Sequence, residues 1–239
     1  MSKSLDWTTV SDDPNNPEAR AAVRAWLTTA QRVHTDTDLL GHIETLVRGK
    51  RVLDIGVVEH SLSYMNRPDW RHGRICNVAS HCLGIDILAP LVEELNNRGF
   101  NVRCVDATSD VDLGERFDVA FIGDVIEHVD NAARLLKFAA RHLAPGGRLY
   151  VTTPNPFSRK FVRQFKREGV MVVNLDHVAW ITPTMAMELA RRAGIRLVAY
   201  HLVKPFSAFA LAVKRLIGWR LEPVEYSFPD YLYEFSSRD

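Results

Sequence analysis

From residue 50 to residue 203 the chain repeats one rhythm of apolar run, loop and amphipathic stretch, and four consecutive runs close on or beside an aspartate. The runs Val52–Ile55, Cys82–Asp86, Val102–Asp106, Val119–Gly123, Gly147–Thr153 and Ile195–Val203 read as strands, with Tyr231–Phe235 as a seventh. Helical periodicity lies between them at Trp70–Ser80, Ala89–Asn97, Asn131–His142 and Thr184–Ala193, and again near Phe206–Ile217. Short, mostly apolar strands that alternate with helices must bury both of their faces. This predicts an α/β fold whose parallel sheet is covered on each side. Pro145-Gly146-Gly147 supplies the turn before the fifth strand, and Gly194 stops the helix before the sixth.

Ahead of this region, Glu18–Ala30 carries Ala22, Val23, Trp26 and Leu27 at helical steps, and Asp38–Val47 does the same with Leu39, Ile43, Leu46 and Val47. Residues 1–17 are polar and read as a loosely docked arm. Residues 1–48 are therefore expected to pack as an arm and helices on a core domain of residues 49–239. A length of 239 residues can bury a substantial core, and a formal charge of +1 gives no general pull toward nucleic acid. The polar N-terminus argues against a signal peptide, and no apolar run approaches membrane-spanning length, so a cytoplasmic location is expected. The cysteines are Cys76, Cys82 and Cys104, an odd set without CxxC spacing, expected to be reduced and buried. A zinc site from His72, Cys76, His81 and Cys82 is rejected in favour of a helical apolar stripe through Ile75, Val78, Ala79 and Cys82, and no metal is assigned.

In an open parallel sheet, ligands bind at the carboxyl ends of the strands where the chain order reverses. The residues at those ends are Asp54 and Gly56, Asp86-Ile87, Asp106-Ala107 and Gly123-Asp124. An acid closing the second strand can accept hydrogen bonds from both ribose hydroxyls of an adenosine-type cofactor, and Asp86 has that position. Asp106 would receive an adenine amino group. Asp54 and Gly56 would face the far end of the cofactor, where a glycine permits close backbone approach. Neither GxGxxG nor GxxxxGK[ST] is present, which excludes the usual pyrophosphate-binding loops.

The segments VLDIG (52–56), LGIDI (83–87), CVDA (104–107), FDVAFIGDVIEHV (117–129) and LAPGGRLYVTTPN (143–155), in this order, resemble class I S-adenosylmethionine (SAM)-dependent methyltransferases. The resemblance covers about residues 50–203. It implies a Rossmann-like, seven-stranded, mostly parallel sheet of order 3-2-1-4-5-7-6, with SAM as cofactor and S-adenosylhomocysteine as product. Trp70-Arg71-His72-Gly73-Arg74-Ile75 is similar to a stretch in bacterial cell-surface glycan and small-molecule methyltransferases, which implies a sugar or small-molecule hydroxyl as acceptor. One departure stands out. The family's first loop is glycine-rich, whereas this chain reads Asp54-Ile55-Gly56-Val57-Val58-Glu59-His60, so Glu59 or His60 would take over contacts with the methionine end.

Catalysis is expected from Asp124-Val125-Ile126-Glu127-His128, which leaves the fourth strand beside the transferable methyl group. His128 can take a proton from an acceptor hydroxyl near neutral pH. Ubiquinone-biosynthesis O-methyltransferases are similar over this segment and hold a divalent cation there. Asp124, Glu127 and His128 match in type, which makes a cation compatible with the site but not assigned to it. His177, in Asp176-His177-Val178-Ala179-Trp180, is the reserve base. Asn155 either orients a hydroxyl or locks the Pro154–Pro156 turn. Arg159, Lys160, Arg163, Lys166 and Arg167, interleaved with Phe157, Phe161 and Phe165, read as an amphipathic helix or as a lid for a phosphate-bearing acceptor. Two functional readings remain open on the residues, an active O-methyltransferase and a SAM-binding scaffold that has lost turnover. A nucleic-acid acceptor is not expected, and oligomeric state is not legible.

Overall fold

The computed structural model describes residues 4–58 and 61–238. Its strands are β1 (Gln31–His34), β2 (Arg51–Ile55), β3 (His81–Asp86), β4 (Val102–Cys104), β5 (Phe117–Gly123), β6 (Leu143–Pro154), β7 (Ile195–Val203) and β8 (Asp230–Ser237). The helices that matter here are α1 (Pro17–Ala30), α2 (Leu39–Val47), α3 (Arg71–Val78), α4 (Ala89–Asn97), α5 (Ala132–Arg141), α6 (Arg159–Glu168) and α7 (Pro183–Arg192). Side chains cap the starts of α1, α2 and α5. Asn16 Oδ1 accepts from the Glu18 and Ala19 amides with Pro17 next in the chain, Asp38 accepts from Gly41, and Asn131 accepts from Arg134.

The strands form one sheet of order β1-β7-β8-β6-β5-β2-β3-β4, in which only β8 runs antiparallel to its neighbours. The order expected for the last seven strands is present, and an eighth strand extends the sheet. β1 pairs in parallel with Tyr200–Val203 at the edge. It escaped the sequence because Gln31-Arg32-Val33-His34 has a single apolar residue and no side of it is fully buried. A strand recognised by its neighbour's backbone rather than by its own alternation leaves little hydrophobic signature. The third expected strand is also shorter than expected, ending at Cys104, so Asp106 lies in the turn beyond it.

Alternation along the strands divides the interior. Leu53, Ile55, Ala120 and Ile122 face α1, α5 and α7, where Trp26, Leu135 and Met187 complete the layer. Val52, Val119 and Phe121 face α2 and α3, against Ile43, Val47 and Ile75. A smaller cluster of Val57, Trp70, Val92, Leu95 and Val102 secures α4 and the start of α3. With both faces covered, the carboxyl ends of the central strands become the open edge on which function can be built. No helix among the described residues is long and apolar enough to cross a membrane.

Candidate active site at the strand ends

The central strand β2 ends in Asp54, Ile55 and Gly56. Asp54 is fully buried and does not line open space. Its Oδ2 lies 2.8 Å from His72 Nδ1 on α3, and Oδ1 has no hydrogen-bond partner. Burial alone would lower the His72 pKa, but the hydrogen bonds and charges of Asp54 and Cys76 together outweigh it and hold the imidazole up at about 9. Gly84, the register neighbour of Asp54, makes room for this pair, since a Cβ there would meet His72 Cε1 at 2.8 Å. His72 Nε2 in turn lies 3.5 Å from Cys76 Sγ, and one ligand atom each of His72, Cys76 and Cys82 falls within 4.8 Å of the others. His81 turns away to Glu115. Cys76 and Cys82 are only partly buried and Cys104 is exposed, a correction to the expectation of buried thiols.

Asp86 sits where the sequence places it, at the end of β3, with 8% of its surface exposed. Oδ1 accepts from the Ile87 and Leu88 amides, and Oδ2 accepts from Val58 N at 2.9 Å. The loop after β2 is thus tethered to Asp86. Ile87 projects an exposed apolar side chain beside it. Asp106 accepts from the Thr108 amide and hydroxyl, bonds that lower its pKa, and Ala107 is buried behind it. His60 and Glu59 lie outside the described residues.

Gly56 adopts φ +79, and a Cβ there would meet Val125 Cγ2 at 2.2 Å. Across from it, the space over Gly123 is filled by Arg71, whose guanidinium carbon lies 2.1 Å from where a Cβ would be. Arg71 donates to the Gly56 carbonyl at 2.8 Å and lies 3.7 Å from Asp124 Oδ2, while its buried Nε has no partner. An unsatisfied buried guanidinium N–H between two backbone cradles is a ready donor for an anionic ligand group. Arg71 carries no local signal of this position, because it is remote from the strand ends in sequence and is brought back only by α3.

Asp124 has φ +52, a left-handed conformation that is uncommon outside glycine. Its amide is held by the Thr152 carbonyl and hydroxyl, so the turn aims the carboxylate outward. Glu127 is buried, with Oε2 accepting from Thr153 Oγ1 and Oε1 unpartnered. Burial, with the charges of Asp124 and Asp230 added, pushes its pKa up to about 8. Asp230, at the start of β8, is likewise raised to about 7 by burial and by Asp124. His128 Nδ1 lies 3.2 Å from Asp176 Oδ2, with His177 edge-on to its ring at a centroid distance of 4.6 Å. Burial and His128 lower the His177 pKa. Ligand atoms of Glu127, His128 and His177 all fall within 4.8 Å of one another. Trp180 stands 6.5 Å from His177, and Phe161 of α6 packs on Trp180 at 5.0 Å.

Asn155 resolves to the turn role. It is fully buried, with Nδ2 donating to the Glu225 and Phe228 carbonyls and Oδ1 accepting from Phe157 N. The basic run forms α6 as an exposed amphipathic helix ending at Gly169, with Arg159 paired to Glu222. A cavity of 1350 Å³ lies on the α1 and α7 side, lined by Leu27, Phe157, Val162, Tyr200 and Tyr231 among others, and none of the strand-end acids borders it. The structure therefore gathers Gly56, Asp86, Gly123, Asp124, His128 and His177 at one edge of the sheet, adds Arg71, Glu127, Asp176 and Asp230, and withdraws Asp54 and Asn155 into the interior.

A family model described as a methyltransferase domain matches residues 29–200. The ubiquinone biosynthesis O-methyltransferase of Coxiella burnetii is 26% identical over 181 residues, covering 66% of this chain and 70% of the relative. Among solved structures, a SAM-dependent methyltransferase from Archaeoglobus fulgidus superposes with a TM-score of 0.57 at 18% identity, covering 82% of this chain and 90% of that one. One from Mesorhizobium loti does so with a TM-score of 0.52 at 18% identity, covering 82% and 94%. With the strand-end acids, the sheet order and a family match over residues 29–200, the chain belongs to the methyltransferase-domain family and is a class I SAM-dependent methyltransferase.

Proposed function

We propose that the methyl group goes to a hydroxyl oxygen of a small molecule, with His128 as the base. The observation that carries this reading is the 3.2 Å approach of Asp176 Oδ2 to His128 Nδ1 beside His177. A carboxylate on one imidazole nitrogen fixes the ring and stabilises the imidazolium formed when the other nitrogen takes a proton. Nε2 is then the atom that receives the acceptor's hydroxyl proton, leaving a more nucleophilic oxygen. Bound SAM supplies an electrophilic methyl group on a sulfonium, and the remaining work is orientation.

The residues fit that cofactor. Asp86 would accept the ribose hydroxyls in exchange for the Val58 amide, with Ile87 and Ala107 against the adenine and Asp106 near its amino group. Gly123 makes room for Arg71, which also donates to the Gly56 carbonyl, and its unpartnered Nε would suit the carboxylate of the methionine end. Asp124, with the ionisable Glu127 and Asp230 behind it, suits a cationic donor.

Two observations favour an acceptor with a flat ring. Relatives are named as ubiquinone biosynthesis O-methyltransferases, and His177, Trp180 and Phe161 form an aromatic run next to His128. A sugar hydroxyl is the second class, because Trp180 serves the apolar face of a sugar as well. The test is calorimetry with SAM followed by methyl transfer to panels of phenols and of sugars. His128→Ala is expected to lower turnover about 10²–10⁴-fold while SAM affinity holds. Tight SAM binding with no transfer to any hydroxyl would replace the enzyme reading with that of a SAM-binding scaffold.

A further inference from the structure

Away from the carboxyl ends of the central strands, three histidines from distant parts of the sequence meet at the β1 edge of the sheet. His34 closes β1, His42 lies on α2 and His201 lies near the end of β7. His34 Nε2 and His201 Nδ1 are 3.0 Å apart, and one nitrogen from each of the three rings lies within 4.8 Å of the others. The ring centroids of His34 and His42 are 4.2 Å apart. His42 and His201 are 9% and 8% exposed. The His42 Nε2 atom is buried with no hydrogen-bond partner, which in a protein interior calls for a ligand.

Beyond the three rings there is an outer layer. His201 Nε2 lies 3.2 Å from Glu234 Oε2, and Glu234 is held in turn by Arg148. A carboxylate on the far nitrogen of an imidazole fixes the tautomer that points a lone pair at a metal, and it raises the basicity of that ligand. Asp36 acts electrostatically on both His34 and His42, so it would offset part of a cation's charge.

We propose that His34, His42 and His201 bind a zinc ion, with Glu234 orienting His201. Nitrogen donors without thiolates or a carboxylate cage select a borderline cation over Mg²⁺ or Ca²⁺. Tetrahedral Zn–N bonds of about 2.0–2.1 Å place neighbouring nitrogens about 3.3 Å apart, close to the 3.0 Å already present between His34 and His201. Water takes the fourth position. None of the three residues belongs to the proposed reaction centre, so the ion is a structural clamp that pins β1 and α2 to β7. The inference does not rest on which acceptor the enzyme methylates.

The full-length protein, stripped with a chelator and dialysed, is titrated with Zn²⁺ by calorimetry, and Co²⁺ is added in parallel for its visible spectrum. One equivalent is expected to bind, with a tetrahedral Co²⁺ spectrum and a melting temperature raised by roughly 5 °C at a hundredfold excess over Kd. His42→Gln is expected to weaken binding about 100-fold or more, and Glu234→Gln about 10–100-fold. Glu234→Gln keeps the test decisive if His42→Gln does not fold. Cys76→Ser/Cys82→Ser and Glu127→Gln are expected to bind Zn²⁺ as the parent does, because they disturb the two other clusters. No stoichiometric binding overturns the proposal, and so does binding that persists in His42→Gln and Glu234→Gln or disappears in the cysteine variant.

Discussion

A carboxyl group buried with one oxygen unpartnered is costly to ionise, and Glu127 is such a group. Its folded-state pKa, raised from 4.5 to about 8, exceeds the unfolded value, so the native state binds the proton more tightly. The sign follows from linkage. Stability associated with Glu127 is full below about pH 4.5 and is lost as pH rises toward 8. Glu127→Gln removes this dependence. Its urea-unfolding free energy relative to the parent is expected to improve steadily from pH 5 to pH 8, by an amount on the order of a few kcal/mol. A parallel pH profile for the two proteins would mean that Glu127 is not held neutral. Asp86 offers a cleaner reading of the cofactor. Asp86→Ala is expected to weaken SAM binding at least tenfold, about 1.4 kcal/mol, as measured by calorimetry. A smaller loss would move the ribose contact elsewhere.

At the level of single elements, two short turns carry more weight than their length suggests. The turn after β2 has lost most of its family's glycines and depends on Gly56, which needs both φ +79 and the absence of a Cβ facing Val125. Gly56→Ala is expected to destabilise the fold by about 1–3 kcal/mol in chemical denaturation and to weaken SAM binding together with it. Gly49 and Gly99 also have positive φ but open space around them, so the same substitution there meets backbone strain alone. The turn after β6 is closed by Asn155, which satisfies the Glu225 and Phe228 carbonyls and the Phe157 amide. Asn155→Ala leaves these groups without it in a buried position and is expected to cost about 2 kcal/mol or more, read as a lower urea midpoint. Methyl transfer by the residual folded fraction should be little changed, since Asn155 faces the interior rather than the acceptor.

Across the whole molecule, the N-terminal segment is joined to the central layer at several places, α2 among them through Ile43 and Val47. Trp26 and Ala30 of α1 enter the core beside α7, Trp7 donates to Glu188, and β1 extends the sheet next to β7. Trp26→Ala is therefore expected to lower the global unfolding free energy by about 3 kcal/mol in a single transition. A separate low-stability transition confined to the N-terminus would instead make residues 1–48 an independent appendage. The same segment supplies two of the three clustered histidines, which links its docking to the proposed zinc ion.

Most of the sheet was legible because the central strands are largely apolar and several helices carry a cap, a first-turn proline or a glycine stop, signals that are local in sequence. The positions of Asp86, Asp124 and His128 followed from the same local grammar, since a parallel sheet puts strand ends and ligands at one edge. What the chain could not announce was any feature made by two distant segments. β1 has no hydrophobic alternation and is defined by the backbone of β7. The Asp54 side chain, expected to face the far end of the cofactor, is instead buried against His72 on α3. Arg71, Asp176 and Asp230 reach the strand ends only after helix packing and the reversal of β8. The histidine cluster joins residues 34, 42 and 201, whose spacing matches no metal motif. Local side-chain pattern thus determined the fold class and the sheet edge on which the proposed site lies, whereas long-range packing decided which polar groups face that edge and which are buried beneath it.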